Sequence, residues 1–248
     1  MQSYFVRHIF LTVIAVICWA AVAAQDNDMV LNRQYADRKF LHFGFSVGVN
    51  FQDLFITNNG YVSDDGEQWW ADVPNHSPGF CVNVLADVRL HEHFNLRFSP
   101  GLYFGNKVVK FVNHLGDPYA PELSHYKQQQ NVKATYVVMP LDLKISARRY
   151  HNLRPYFTTG LMPVIDVGKD RGEQLKIKNF DTMLTVGMGC DFYLPFFKFC
   201  PEVKFCFGLR NILDKNRPDL QDSPEMMRFT QSIDTIQDNM VVLTFFFE

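Results

Sequence analysis

From residue 41 onward the chain alternates apolar and polar side chains with a period of two, and only β-strands with two unlike faces read that way. Between 41 and 51 every odd residue is apolar: Leu41, Phe43, Phe45, Val47, Val49 and Phe51, with His42, Gly44, Ser46, Gly48 and Asn50 between them. Seven further runs repeat the pattern. Their apolar faces are Phe80–Leu90, Phe94–Phe104, Val137–Ile145, Leu153–Ile165, Phe180–Phe192, Phe199–Leu209 and Val241–Phe247. The chain is therefore predicted to form eight strands and no helical domain. Prolines 100, 140, 155, 163 and 201 fall inside these runs. Proline lacks the ladder donor, so bulges are expected there.

The connections alternate in length. Residues 91–93, 148–152 and 194–197 are short turns, whereas 54–76, 112–131, 169–178 and 213–236 are long and polar. Three short turns and four long loops place both chain ends beside the short turns. An up-and-down transmembrane barrel has this arrangement, with tight periplasmic turns and longer outer loops. A lipocalin-type barrel or a two-sheet sandwich would turn the apolar face inward. A sandwich could bury that face but would not explain the alternation of loop lengths, and volume counts against the inward-facing barrel. Some forty large apolar side chains would overfill an eight-stranded interior, which is only wide enough to be filled by side chains. With 24 Phe, 10 Tyr and 3 Trp, the bulky face belongs outside, against lipid. The predicted fold class is all-β: an eight-stranded antiparallel up-and-down transmembrane β-barrel with a filled polar lumen.

That facing rule puts Asp87, Arg89, Arg97, Asp142, Lys144, Arg154, Asp166, Asp181, Asp191, Lys198, Glu202, Lys204 and Arg210 inside. Buried charges require partners, so these residues are predicted to form a cross-lumen ion-pair network, which argues against an open porin. Cys81, Cys200 and Cys206 also face inward and Cys190 outward, so Cys190 and Cys200 are not expected to pair across the 194–197 turn. A disulfide involving Cys81, Cys200 or Cys206 stays open.

The first residues read as an export leader. Arg7 and His8 precede an apolar run from Ile9 to Trp19, followed by Ala20–Ala24 with small residues at the cleavage positions. The expected organisation is a signal peptide at 1–24, a short periplasmic segment at 25–38 and a membrane barrel at 39–248, located in the cell outer membrane. A net charge of −2 gives no footprint for nucleic acid.

Short motifs within the strands resemble the outer-membrane β-barrel family of Bacteroidota. They are Gly44-x-x-x-Gly48-Val-Asn50, Tyr136-Val-Val-Met-Pro-Leu-Asp-Leu-Lys144, Arg154-Pro-Tyr-Phe-x-x-Gly160, Gly187-Met-Gly189, Gly208-Leu-Arg-Asn-Ile212 and the terminal Phe245-Phe-Phe-Glu248. The resemblance covers nearly the whole mature chain. It extends to the barrel components of the type IX secretion system, which implies a role in transport and maturation of secreted cargo such as gingipain-type cysteine proteases. It also implies other secretion-system subunits as partners. It assigns no catalytic, metal or cofactor residues. Phe245 and Phe247 are the expected barrel-insertion signal; many such barrels end on Phe, whereas this chain ends on Glu248.

Other readings are weaker. A lipid-modifying enzyme of acyltransferase type needs a nucleophile paired with a base. His42, His76, His91, His93, His114, His125 and His151 belong to no recognisable nucleophile motif, although His114 and His125 share a loop with Ser124. A small structural or adhesion barrel is a further alternative. Asp64-Asp65-Gly66-Glu67 lacks the spacing of a calcium loop and reads as a solvated tip. Trp69 and Trp70, adjacent in the first long loop, are candidate partner-contact residues or interfacial anchors. Lys169, Arg171, Lys176 and Lys178 could meet lipopolysaccharide phosphates. Outer-membrane lipid and lipopolysaccharide are thus expected partners; no metal or cofactor is expected.

Overall fold

The structure, a computed structural model, describes residues 30–62, 68–113, 128–168, 176–215 and 230–248. The leader, the loop tip at 64–67, His114, Ser124, His125, Lys169 and Arg171 lie outside the described residues.

Eleven strands are present among the described residues, not the eight read from the sequence. They are β1 (Leu41–Asn58), β2 (Trp69–His76), β3 (Pro78–Arg89), β4 (Phe94–Phe98), β5 (Gly101–Asn113), β6 (Gln128–Val138), β7 (Leu141–Ser146), β8 (Leu153–Asp166), β9 (Phe180–Tyr193), β10 (Lys198–Gly208) and β11 (Ile233–Phe247). All pairings are antiparallel. The sheet returns on itself because β1 pairs with β11 from Phe45↔Phe247 to Asn58↔Ile233.

Two of the additional strands come from proline. β4 and β5 are one run interrupted at Ser99-Pro100, and β6 and β7 are one run interrupted at Met139-Pro140. The interruption is confined to the hydrogen bonds that proline cannot donate. The register on either side is the same: Ala86↔Phe98 continues as Asn83↔Gly101, and Phe94↔Ile145 continues as Gly101↔Val138. The predicted bulges are therefore absent at these two prolines, and their carbonyls still accept, from Val84 N–H onto Pro100 and Ser99 N–H onto Pro140. Counted as continuous passes, the pairings trace a ring of eight: β1, β3, β4/β5, β6/β7, β8, β9, β10 and β11.

The third additional strand, β2, lies within the predicted first long loop. It pairs with the loop end of β5, from Trp69↔Asn113 to His76↔Lys107. On its other side the Asn58 side chain stands in for a strand neighbour, donating to the Ala71 carbonyl (3.1 Å) and accepting the Ala71 N–H (3.0 Å). This fills the wedge that opens where β3 begins at Pro78 while β1 continues to Asn58.

The apolar face points outward. Phe43, Phe45, Val47, Phe80, Val82, Val84, Phe157, Met188 and Leu243 are all exposed large hydrophobics. Their neighbours Ser46, Asn50, Asn83, Asp87, Thr158 and Glu202 are buried inside the ring. At the seam, the Phe45 ring stacks on Phe247 with centroids 5.1 Å apart, and Phe199 stacks on Phe245 at 5.8 Å. Glycines on the inner face make room for bulk: a Cβ at Gly189 would stand 2.5 Å from the Tyr156 ring, and one at Gly101 would stand 1.9 Å from Asn83 Oδ1. No helix among the described residues is long and apolar enough to cross a membrane, which leaves the strands to do so.

Val84 is central in the outer face of β3. Replacing it with Arg is expected to destabilise the folded chain by about 2–4 kcal/mol in a bilayer. Urea unfolding in lipid vesicles, with faster migration of unboiled protein on a semi-native gel as the readout of the folded ring, measures the loss.

Candidate functional site

The interior is filled in layers. At the short-turn end the N-terminal segment turns into the mouth through a short 3-10 helix, Ala36–Arg38. Asn32 donates its side-chain amide to the Tyr193 carbonyl (3.0 Å), and Arg33 donates to the Glu248 carbonyl (2.9 Å). Asp37 accepts from the Tyr193 hydroxyl (2.7 Å) and faces Arg154 at 3.5 Å.

Above this lies the ion network. Arg97, fully buried, reaches Glu202 at 2.8 Å, Asp87 at 3.3 Å and Glu248 at 3.4 Å. Lys144 binds both oxygens of Asp191 at 2.8 Å. Lys198 bridges Glu248 and Asp191, and Lys204 bridges Asp142 (2.5 Å) and Glu202 (3.3 Å). Neutral donors complete the carboxylates: Asn95 on Asp87 (2.5 Å) and the Thr185 hydroxyl on Asp142 (2.6 Å). Aromatic faces carry part of the cation solvation lost on burial. Lys144 Nζ sits 4.0 Å from the Tyr156 ring centroid, and the Arg97 guanidinium 4.6 Å from that of Phe246.

An apolar belt follows, with Cys81, Tyr103, Met162, Met183, Cys206 and Met240 among its members. The four cysteines among the described residues are free thiols, including Cys81, Cys200 and Cys206. One more charged group closes this belt. Lys107 donates to Asp238 (2.7 Å) and to the Tyr136 hydroxyl (2.6 Å), and Tyr136 donates to Asp238 (2.6 Å). The long-loop end is sealed by Leu54, Trp69, Val109, Phe111, Ile233 and Ile236.

The structure brings Asp87, Arg97, Asp142, Lys144, Asp191, Lys198, Glu202 and Lys204 into one network and puts Arg154 at its short-turn border. Four other sequence candidates stand elsewhere. Arg89 ends β3 and lines the short-turn mouth, with no ion pair among the described residues. Asp166 sits at the long-loop rim, accepting main-chain N–H groups of Gly168 (2.8 Å) and Thr135 (3.4 Å). Asp181 is buried but accepts the Thr182 N–H rather than a cation. Arg210 is outside the lumen altogether: β10 ends at Gly208, and Arg210 lies exposed over the Phe180 ring. Period-two facing was extended one turn too far at these strand ends. Glu248 in the network, Asp37 at its short-turn border and the separate Lys107–Asp238 pair are absent from the set predicted by sequence. Lys107 and Asp238 stand between the apolar runs and the expected loops at 112–131 and 213–236, and their parity, like that of Glu248, points inward.

Trp69 and Trp70 separate. Trp69 is 3% exposed, in the plug, so it offers no contact surface; Trp70 is 42% exposed on the outer side. Lys176 faces Asp214 at 3.5 Å on the rim. The histidine rings of His42 and His93 bond main-chain carbonyls of Ala36 and Ser146, not a hydroxyl or thiol nucleophile. Among the described residues no group of three or more His, Cys, Asp or Glu is placed to hold a metal ion.

The family pattern that matches residues 23–214 is described as "Outer membrane protein beta-barrel domain". A comparison with curated proteins finds no match. Three solved structures are similar in overall trace. OprG from Pseudomonas aeruginosa is 13% identical (TM-score 0.45), covering 84% of this chain and 92% of its own. Neisserial surface protein A is 9% identical (TM-score 0.39), with 84% and 98% covered. Ail, the attachment invasion locus protein of Yersinia pestis, is 10% identical (TM-score 0.35), with 83% and 96% covered, in complex with the heparin analogue sucrose octasulfate.

Arg97→Leu leaves Asp87 and Glu202 buried beside an apolar group. The expected loss is about 3–5 kcal/mol, the cost of stranding buried charge. Urea unfolding of the refolded protein in micelles measures it, and Arg97→Lys is expected to recover part of the loss because it restores the charge but not the fork.

Proposed function

Since this chain belongs to the outer membrane β-barrel domain family and is an outer-membrane protein, we propose that it is a closed, non-catalytic eight-pass barrel. It serves there as a component of the type IX protein secretion system. The observation that carries the first half is the filled interior: five successive layers, from the N-terminal segment to the apolar plug, occupy the axis. A barrel filled in this way acts through its ends and its outer wall, not by conducting. The second half rests on resemblance to PorT, carried by the Tyr136–Lys144 motif and the terminal aromatic strand. In that role the barrel holds contact surfaces at the membrane while other subunits move cargo toward maturation. Phe245 and Phe247, on the outer wall beside the seam, are the residues offered to the insertion machinery.

Deleting the gene is expected to leave cargo bearing C-terminal sorting domains unprocessed and unsecreted. Complementation by His42→Ala or His93→Ala variants is expected to restore export. Normal export in the deletion strain, with altered lipid A instead, would favour the lipid-modifying alternative. In planar bilayers the purified protein is expected to show no stable conductance steps; regular steps would overturn the closed barrel.

A further inference from the structure

The short-turn mouth holds a cavity that neither the ion network nor the lipid-facing wall explains. It measures about 380 Å³ and opens between the N-terminal segment, the β3–β4 turn and the β7–β8 turn. Arg38, Arg89, Arg148, Arg149 and Arg154 line it, against only two carboxylates, Asp37 and Glu92.

Two of these arginines are already engaged. Arg154 holds Asp37 and the carbonyls of Ala147 (3.0 Å) and Glu92 (2.5 Å). Arg149 is held by the His151 carbonyl (2.7 Å) and the Asn152 side chain (2.9 Å), and it lies 3.6 Å from the Tyr193 ring centroid. The other three are not. Arg38 touches only the Tyr35 ring, at 5.1 Å. Arg89 is half-buried at the end of β3, and Arg148 is exposed in the turn. No ion pair or hydrogen bond reaches these three guanidinium groups among the described residues. They come from three separate segments yet converge on one cavity.

Five guanidinium groups against two carboxylates leave an excess of like charge, and an anion supplied from outside relieves the repulsion. Guanidinium forks match carboxylates two oxygens at a time. We propose that this cavity binds the carboxylates of an acidic peptide segment from a periplasmic protein. Position and size favour a peptide. The arginines stand inside the ring's mouth, whereas the exposed apolar residues Phe40, Leu90, Phe94 and Phe196 mark the lipid side of the same end. Short turns face the periplasm in a barrel of this topology. The three free guanidinium groups are spread around a cavity larger than one small oxyanion fills, so several carboxylates on one chain suit it better. The inference does not depend on the secretion assignment, because peptide binding in vitro and cargo export in cells are read separately.

The test uses the mature chain in discs of zwitterionic lipid, with fluorescently labelled hexaglutamate as probe, read by anisotropy at about 50 mM salt, where charge attraction is weakly screened. Saturable binding is expected, weakened at least about tenfold in Arg38→Ala/Arg89→Ala/Arg148→Ala, since a charged hydrogen bond contributes more than that factor. Binding by Lys176→Ala/Lys178→Ala, altered at the opposite rim, is expected to equal the native chain. Arg148→Glu, a reversal in an exposed turn, keeps the test available if the triple variant does not fold, and it too is expected to weaken binding. Equal affinity of the native chain and Arg148→Glu would overturn the proposal. So would displacement of the peptide by equimolar inorganic phosphate, which indicates a free oxyanion. Binding only in discs containing phosphatidylglycerol would overturn it in favour of a lipid headgroup.

Discussion

The pairing of β1 with β11 is the constraint on which everything else rests. In hydrocarbon no water satisfies a strand edge, so the first and last passes must complete each other's hydrogen bonds. They do so over a register running from Phe45↔Phe247 to Asn58↔Ile233. Once the ring closes, each side chain has one of two environments, lipid or lumen, and alternation assigns it without ambiguity. A slip of β1 by one residue would put Phe45 and Val47 inside and Ser46 and Asn50 in lipid. Closure therefore fixes the register as well as the topology.

The interior then has to be filled by what the inward face provides. Charge is expensive there, and an isolated ion pair would be a poor way to fill it. This chain spreads the cost over a connected set. Arg97 serves three carboxylates, Lys198 and Lys204 two each, and amide, hydroxyl and aromatic groups take up remaining capacity. The apolar belt around Tyr103 and Met240 and the plug around Phe111 and Ile236 flank the charges and keep bulk water from them. Low local dielectric strengthens every pair in the network, and it raises the cost of removing any member.

Much of this was legible in the sequence because a period of two is a strong signal and side-chain volume has a direction. Forty large apolar groups had only the outer wall to occupy, and Phe43, Val84 and Met188 stand there. Strand ends were less legible. Facing rules fail where a strand stops, which is why Arg210 and Arg89 were placed in a network they do not join. Strands that run past the apolar band carry no alternation in lipid, so β2 and the loop ends of β5, β6 and β11 read as loop. Trp69 was unreadable for the same reason: its partners Leu54, Phe111 and Ile236 come from segments that only the ring brings together. Proline looked like an obstacle, but Pro100 and Pro140 interrupt hydrogen bonds while leaving register and facing intact.

Glu248 shows how closure and filling are one event. The Glu248 main chain exchanges N–H···O bonds with Lys198 (3.0 and 2.8 Å), extending the β10–β11 ladder by one step. Its carbonyl also receives Arg33 from the N-terminal segment, and its side chain joins Lys198, Arg97 and, at 3.8 Å, His42 of β1. One residue thus ties the first strand, the last strand, the N-terminal segment and the charged core. A Phe at position 248 would put an apolar ring where the network needs a carboxylate, leaving Lys198 with Asp191 alone at 3.9 Å. The preceding residue, Phe247, faces outward by parity, against Phe45 and Phe199. Phe247 and Glu248 together supply an aromatic ring for the outer wall at the seam and a counter-charge for the interior. The full partner set of that counter-charge exists only in the closed ring.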